Sequence, residues 1–202
     1  LLGLALVALG APLMTGEAIA QGKDLTLERV FASPDLAGTT PRKLTLSPDG
    51  KWVTLLRNRA DEKERFDLWA MDTRTGEWRM LVDSKKLGTG AALSEAEKMQ
   101  RERARIGGTK GIVSYDWSAD SRSVLVPLDG ELYLARLDGQ VTKLAAAAGP
   151  KLNAVVSPGG RYASYVQDQN LVVMDLAAGT PKRVTDDGAG TVHWGEAEFV
   201  AQ

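Results

Sequence analysis

Three arginines lie close together in the stretch SEAEKMQRERARIGG, residues 94–108. Arg101 and Arg105 are four residues apart and share one face of a helix, whereas Arg103 points elsewhere. A guanidinium stays charged at every relevant pH, and its planar donors fit a carbonyl or carboxylate oxygen. Such a pair can bind an oxygen-bearing group. The residues alone leave one alternative open, a solvated charged helix stabilised by pairs such as Glu97 with Arg101.

A helix must position these arginines, and the flanking residues predict one near 94–106. Ser94 followed by Glu97 forms a capping box, and the pair Gly107 and Gly108 is expected to stop the helix. Acidic residues come early and arginines late, which complements the helix dipole. Because the apolar content is low, we expect the helix to lie exposed or over a cavity rather than in a core.

Other chemistry has little support in the composition. The chain has no cysteine, which leaves neither a disulfide framework nor a thiolate metal site. A single histidine, His193, excludes a multi-histidine metal site. We therefore predict no catalytic residue, no metal and no cofactor in this chain. The formal net charge of −1 argues against non-specific nucleic-acid binding, which needs a basic surface.

Three segments repeat one pattern of strands and turns: LTLSPDGKWVTLLRN, YDWSADSRSVLVPL and AVVSPGGRYASYVQ. Their turn serines are Ser47, Ser118 and Ser157, and the last two lie 39 residues apart, a propeller-blade period. The pattern predicts an all-β fold, a partial β-propeller of about three four-stranded antiparallel blades. The stretch TVHWGEAEFVAQ is expected to start a fourth blade, and the α-helix near 94–106 is an insertion.

The first twenty residues predict a signal peptide. The apolar run LLGLALVALGAPLM is short for a membrane span, and Ala18-Ile19-Ala20 has the pattern of a signal-peptidase site. We expect cleavage before Gln21, a periplasmic or secreted protein, and no stable membrane insertion afterwards. The alternative is a retained N-terminal anchor. Residues 21–202 are then the N-terminal part of a propeller domain.

The SPDG blades, the stretch RERARIGGTKGIVSYDW and above all GEAEFVAQ resemble the dipeptidyl peptidase IV branch of the prolyl oligopeptidase family. The resemblance covers roughly residues 24–202. In that family an eight-bladed propeller caps an α/β-hydrolase domain, and the enzyme removes N-terminal dipeptides, usually with Pro or Ala second. The resemblance implies an incomplete propeller whose hydrolase domain is absent from this chain, so that the chain itself is inactive.

The resemblance also implies roles for single residues. The family's arginine that reaches the substrate carbonyl matches Arg101, with Arg105 as the reserve choice. The family's Glu-Glu pair, which binds the free α-amino group, follows AEFVAQ, so Glu196 and Glu198 precede that pair. His193 is not the catalytic histidine, because the family's Ser, Asp and His lie far downstream.

Two classes of function remain open. The resemblance implies the substrate-gating propeller of an exported serine dipeptidyl peptidase, with peptides bearing a free N-terminus as partners and a homodimer as the full-length form. The alternative is a non-enzymatic periplasmic propeller that binds protein partners. The helix SEAEKMQRERAR favours the peptidase, since a binding propeller has no reason to carry it there.

Overall fold

The computed structural model of the protein describes residues 25–32, 36–144 and 149–196. The predicted signal peptide at 1–20 lies outside these ranges. Within them, no helix is both long enough and apolar enough to cross a membrane. Three antiparallel sheets account for most of the described chain.

The strands fall into three groups of four, in chain order. The first group is β1 (Arg42–Leu46), β2 (Trp52–Asn58), β3 (Arg65–Asp72) and β4 (Trp78–Val82). The second is β6 (Asp116–Trp117), β7 (Ser123–Leu128), β8 (Glu131–Arg136) and β9 (Val141–Lys143). The third is β10 (Leu152–Val156), β11 (Tyr162–Gln167), β12 (Asn170–Asp175) and β13 (Thr180–Arg183). The remaining elements are α1 (Leu27–Phe31), α2 (Ser84–Leu87), α3 (Glu95–Arg103) and β5 (Lys110–Gly111).

Each sheet is a meander, because consecutive strands pair in sequence order within all three groups. This confirms the predicted all-β fold with four-stranded antiparallel propeller blades. One addition was not predicted: β5 pairs in parallel with the start of β3, matching Arg65 with Lys110 and Phe66 with Gly111. The chain therefore belongs to the first sheet both before α3, through β4, and after it, through β5.

The blade turns form as their sequences predict. Ser47 Oγ donates to Asp49 at 2.7 Å, and Ser118 Oγ donates to Asp120 at 2.6 Å. Gly50 closes the first turn with φ 72°, a conformation that favours glycine. The same serine and carboxylate therefore make the same turn at the start of two successive blades.

The core lies between the blades. One cluster of buried side chains joins the first two blades and includes Leu56, Leu68, Val82, Ile112, Val124 and Val126. A second joins the second and third blades and includes Leu125, Leu132, Ala163, Tyr165, Val172 and Met174. Burying one large aliphatic side chain contributes about 1.5–3 kcal/mol, so face-to-face packing of blades supplies much of the stability. Trp117 also donates to Thr54 Oγ1 at 2.9 Å across the first interface.

The start of the predicted fourth blade is only partly described. Residues 191–196 form a turn and bends and no strand, and residues 197–202 lie outside the described ranges. The segment folds against the third blade instead: the Trp194 amide donates to Gln169 O at 2.9 Å, and the Trp194 indole donates to Asp187 at 2.7 Å. These contacts fix the direction in which the chain leaves the third blade.

Candidate functional site

The helix that carries the arginines begins as predicted. Ser94 is its N-cap, the Glu97 amide donates to Ser94 Oγ at 3.2 Å, and the Ser94 amide donates to Glu97 Oε2 at 2.8 Å. This is the expected capping box. The Glu97 carboxylate is therefore held at the helix start by Ser94.

The helix ends three residues earlier than the predicted position 106. Its last residue is Arg103, and the glycine pair plays no part in the cap. Arg105 takes the left-handed conformation instead, with φ 55°. The Ile106 amide donates to Arg101 O at 2.8 Å and the Arg105 amide to Glu102 O at 2.9 Å, the two bonds of a Schellman cap. Arg105 therefore occupies the position that glycine usually takes.

This ending separates the two arginines that were predicted to share a face, and that prediction is wrong. Arg101 is buried, with 8% of its surface exposed. Arg105 follows the end of the helix and is exposed. Arg105 lines a separate cavity beside Arg42 and Asn58 of the first blade. The structure therefore assigns the two side chains to different environments.

Arg101 is the only buried residue of α3. Its Nη1 donates to Thr109 O at 2.5 Å, just before β5. Burial lowers the pKa of Arg101, while the charges of Glu97 and Asp129 oppose that shift. Among the described residues, no carboxylate lies within ion-pair distance of its guanidinium. Arg101 is thus a desolvated cation with donors to spare, which differs from the solvated helix pair that the sequence left open.

Two cavities meet at Arg101. The first, which we call the blade cavity, has a volume of about 420 Å³ and lies between α3 and the first strands of the blades. Its wall includes Lys43, Gln100, Arg101, Ser114, Leu152 and Asn153. The second, the basic cavity, has a volume of about 330 Å³ on the other side of Arg101. Its wall includes Arg65, Ser84, Lys85, Arg101, Lys110 and Asp129. The expectation that the helix lies over a cavity is met.

Asn153 connects α3 with the end of the described chain. Gln100 Nε2 donates to Asn153 Oδ1 at 2.5 Å, and Asn153 Nδ2 donates to Gly195 O at 2.8 Å. Asn153 lies in a bulge of β10 and has φ 51°, and Lys43 in the matching bulge of β1 has φ 50°. Sequence analysis missed Asn153. The tolerance of Asn for positive φ was the one available signal.

A second cation of the blade cavity is neutralised. The Lys151 side chain is fully buried and its Nζ donates to Glu131 Oε2 at 3.0 Å. Lys143 pairs with the other oxygen of Glu131 at 3.1 Å. Burial raises the pKa of Glu131, but the two lysines outweigh it and hold this pKa below its usual value. Arg101 therefore supplies the buried positive charge available to a ligand in the blade cavity, and the exposed Lys43 lies in the same wall.

His193 makes only local contacts. Its Nδ1 lies 3.0 Å from Glu196 Oε2. Its Nε2 lies 3.1 Å from the side-chain nitrogen Nε2 of Gln169 and 3.1 Å from Gly190 O. Among the described residues, none of these contacts brings a hydroxyl nucleophile to the imidazole. Glu198 lies outside the described residues. No group of three His, Cys, Asp or Glu side chains in the described ranges could hold a metal ion.

Three meander blades with an inserted helix define a β-propeller protein. Residues 47–202 match the family model described as the dipeptidyl peptidase IV (DPP IV) N-terminal region. The chain therefore belongs to the family of DPP IV N-terminal regions.

Two solved structures are also similar to the chain. The putative TolB from Agrobacterium tumefaciens is 18% identical, with a TM-score of 0.47 over 73% of this chain and 49% of that one. TolB from Acinetobacter baumannii is 13% identical, with a TM-score of 0.47 over 72% of this chain and 31% of that one. The chain thus spans about half of the first protein and about a third of the second.

Proposed function

We propose that the chain is the substrate-gating propeller portion of an exported serine dipeptidyl peptidase that releases N-terminal dipeptides with Pro or Ala second. The chain binds the peptide, and a part of the protein outside these residues cleaves it. Membership of the DPP IV N-terminal family supports this proposal. The observation that carries it is the buried guanidinium of Arg101 in the wall of the blade cavity, which has no ion-pair partner among the described residues.

A peptide carbonyl is a suitable partner for this guanidinium. The side chain has five N–H donors, and Thr109 O takes one of them. Water is largely excluded at a buried cation, so a charge-assisted hydrogen bond there is stronger than at the surface. The blade cavity, at about 420 Å³, falls within the usual size of small-molecule sites. In this proposal Arg101 binds the substrate backbone. Arg105 is the alternative candidate for this contact, and its substitution tests that alternative.

The remaining parts of the proposal concern the whole protein. Its partners are peptides with a free N-terminus, it needs no cofactor, it is periplasmic or secreted, and it forms a homodimer. The chain alone is expected to release no product, because a hydrolytic triad needs a nucleophile, a base and an orienting carboxylate in mutual reach. The described contacts of His193 are with Glu196, Gln169 and Gly190, and none of them supplies a hydroxyl nucleophile.

Hydrolysis of Gly-Pro p-nitroanilide by the full-length protein tests this function. We expect turnover of the free dipeptide anilide, none of its N-acetylated form, and loss of turnover after treatment with a serine-directed fluorophosphonate. The isolated chain serves as the inactive control. Absence of turnover on Gly-Pro and Gly-Ala anilides would overturn the proposal and favour the non-enzymatic binding propeller.

A further inference from the structure

The basic cavity gathers positive charge. Arg65, Lys85, Arg101 and Lys110 line it, and the only carboxylate in the described wall is Asp129. Asp129 Oδ2 accepts the Gly90 amide at 3.2 Å. Four cations therefore face one carboxylate that is already bound to the backbone.

The carboxylates behind this wall do not neutralise it fully. Glu62 alone is shared by Arg65 at 2.9 Å, Lys85 at 3.3 Å and Lys110 at 3.4 Å. Hydrogen bonding from Arg65, with contributions from the two lysines, lowers the pKa of Glu62 to about 2. Asp61 gives Lys85 a second partner at 3.2 Å. Two carboxylates, Glu62 and Asp61, are thus shared by three cations, which leaves one positive charge in excess among these five groups.

A further pair of acids, Asp67 and Asp83, shares one cation, Arg59. Arg59 contacts Asp67 at 2.8 Å and Asp83 at 2.5 Å. The Ser84 amide donates to Asp67 Oδ1 at 2.8 Å, and the amides of α2 donate to Asp83. Neither carboxylate lines the cavity, so these charges are used within the first blade.

Ser84 supplies an independent sign of a ligand. Its side chain is 0% exposed and lines the basic cavity, and its Oγ has no hydrogen-bond partner among the described residues. Leaving a buried hydroxyl unpaired is unfavourable, because it has lost its hydrogen bonds to water without replacing them. Gly111 allows the chain to pass close to this hydroxyl, since a Cβ there would lie 2.7 Å from Ser84 Oγ and 2.5 Å from Phe66 O. A hydroxyl donor and a buried guanidinium thus face one space.

We propose that the basic cavity is a binding site for a small oxyanion, held by Ser84 Oγ and the Arg101 guanidinium. The hydroxyl donates one hydrogen bond and the guanidinium supplies charge-assisted donors, a combination that suits a carboxylate or phosphate group. Arg65, Lys85 and Lys110 add long-range attraction. The basic cavity shares Arg101 with the blade cavity but lies on its other side, and anion binding there does not depend on peptidase activity.

Calorimetric titration of the full-length protein with inorganic phosphate and, separately, with acetate at constant ionic strength tests the site. We expect saturable binding of at least one of these probes at one site per chain. Ser84→Ala and Arg101→Gln should each weaken it roughly tenfold or more, because each removes a donor to a charged group. Lys51→Gln is the control, since this lysine lies in an exposed turn of the first blade and should change affinity less than twofold.

Thermal unfolding without the anion separates binding from folding. Ser84→Ala removes an unpaired buried hydroxyl, so the variant should be as stable as the parent or more stable. Equal affinity of parent and Ser84→Ala for the bound probe would overturn the proposal. Absence of saturable binding of both probes would overturn it as well.

Discussion

Gln100 of α3 and Asn153 of β10 are joined by a hydrogen bond of 2.5 Å. The same Asn153 amide donates to Gly195 O at 2.8 Å, so one side chain connects the helix, the third blade and the chain leaving that blade. The helix itself buries only Arg101. Because α3 buries so little apolar surface, we expect this polar connection to be a main restraint on the position of Arg101.

Removing the Asn153 side chain should free the helix. In Asn153→Gly the φ of 51° stays favourable and only the amide contacts are lost. We expect faster amide hydrogen exchange over 95–103 with little change in the global melting temperature. Asn153→Ala loses the same contacts and in addition strains the backbone, which costs about 1–2 kcal/mol. Unchanged exchange in both variants would show that Asn153 does not restrain α3.

The sequence predicted those features of the site that depend on neighbouring residues. Ser94 and Glu97 form their capping box because both partners lie within one turn. The blade turns likewise depend on residues such as Ser47 and Asp49, two positions apart. Such local hydrogen bonds are encoded by spacing alone.

The features that sequence analysis missed depend on tertiary contacts. Arg105 takes the position in the helix cap that glycine usually occupies. The sequence did not predict this, because the nearby pair Gly107-Gly108 is a more favourable choice for a helix end. The buried Arg101 donates to Thr109 O, and Thr109 directly precedes the strand β5 that pairs with the first blade. The role of Asn153 depends on Gly195, 42 residues away. A periodic pattern in the sequence cannot predict such contacts, because the partners are distant along the chain.

Glu62 should make stability depend on pH at the acid end. Its pKa is lowered from an ordinary 4.5 to about 2, so its stabilising effect is complete above about pH 4.5 and is lost as the pH falls towards 2. The carboxylate is partly exposed, and solvent screening limits the effect to about 1 kcal/mol. Urea unfolding of Glu62→Gln should show this loss at pH 7 and a vanishing difference near pH 2.

Glu64→Gln is the matched control for this experiment, since Glu64 is an exposed glutamate two residues away. It should change the free energy of unfolding by less than 0.5 kcal/mol at about pH 7. A Glu62→Gln deficit that stayed constant down to pH 2 would contradict the ionic explanation.

The interface between the first two blades should be sensitive to cavities. Leu68 is 0% exposed in the first core cluster, so Leu68→Ala should lower the free energy of unfolding by about 2–5 kcal/mol. Leu44, on β1, is 69% exposed, and Leu44→Ala should stay within about 0.5 kcal/mol. Denaturant unfolding of the two variants measures the difference. Equal effects would mean that the blades do not pack through Leu68.

The Arg101 series is the sharpest test of the proposed substrate contact, and it needs the full-length protein. Arg101→Ala removes a charge-assisted hydrogen bond worth about 1.5–3 kcal/mol, so kcat/KM on Gly-Pro p-nitroanilide should fall roughly ten- to hundredfold. Arg101→Lys should recover only part of this loss, because an ammonium lacks the planar fork. Melting temperatures measured alongside identify any variant that has merely lost stability.

Two further arginines decide whether the loss is specific. Arg105→Ala should change kcat/KM little, because Arg105 is exposed beyond the helix end and lines a different cavity from Arg101. Arg74→Ala, in the exposed β3–β4 hairpin, is the control for removing a surface arginine and should be silent. A larger loss in Arg105→Ala than in Arg101→Ala would move the substrate contact to the cavity beside Asn58. If neither Arg101→Ala nor Arg105→Ala changed kcat/KM, α3 would have only a structural role, since removing a buried guanidinium that binds substrate must lower kcat/KM.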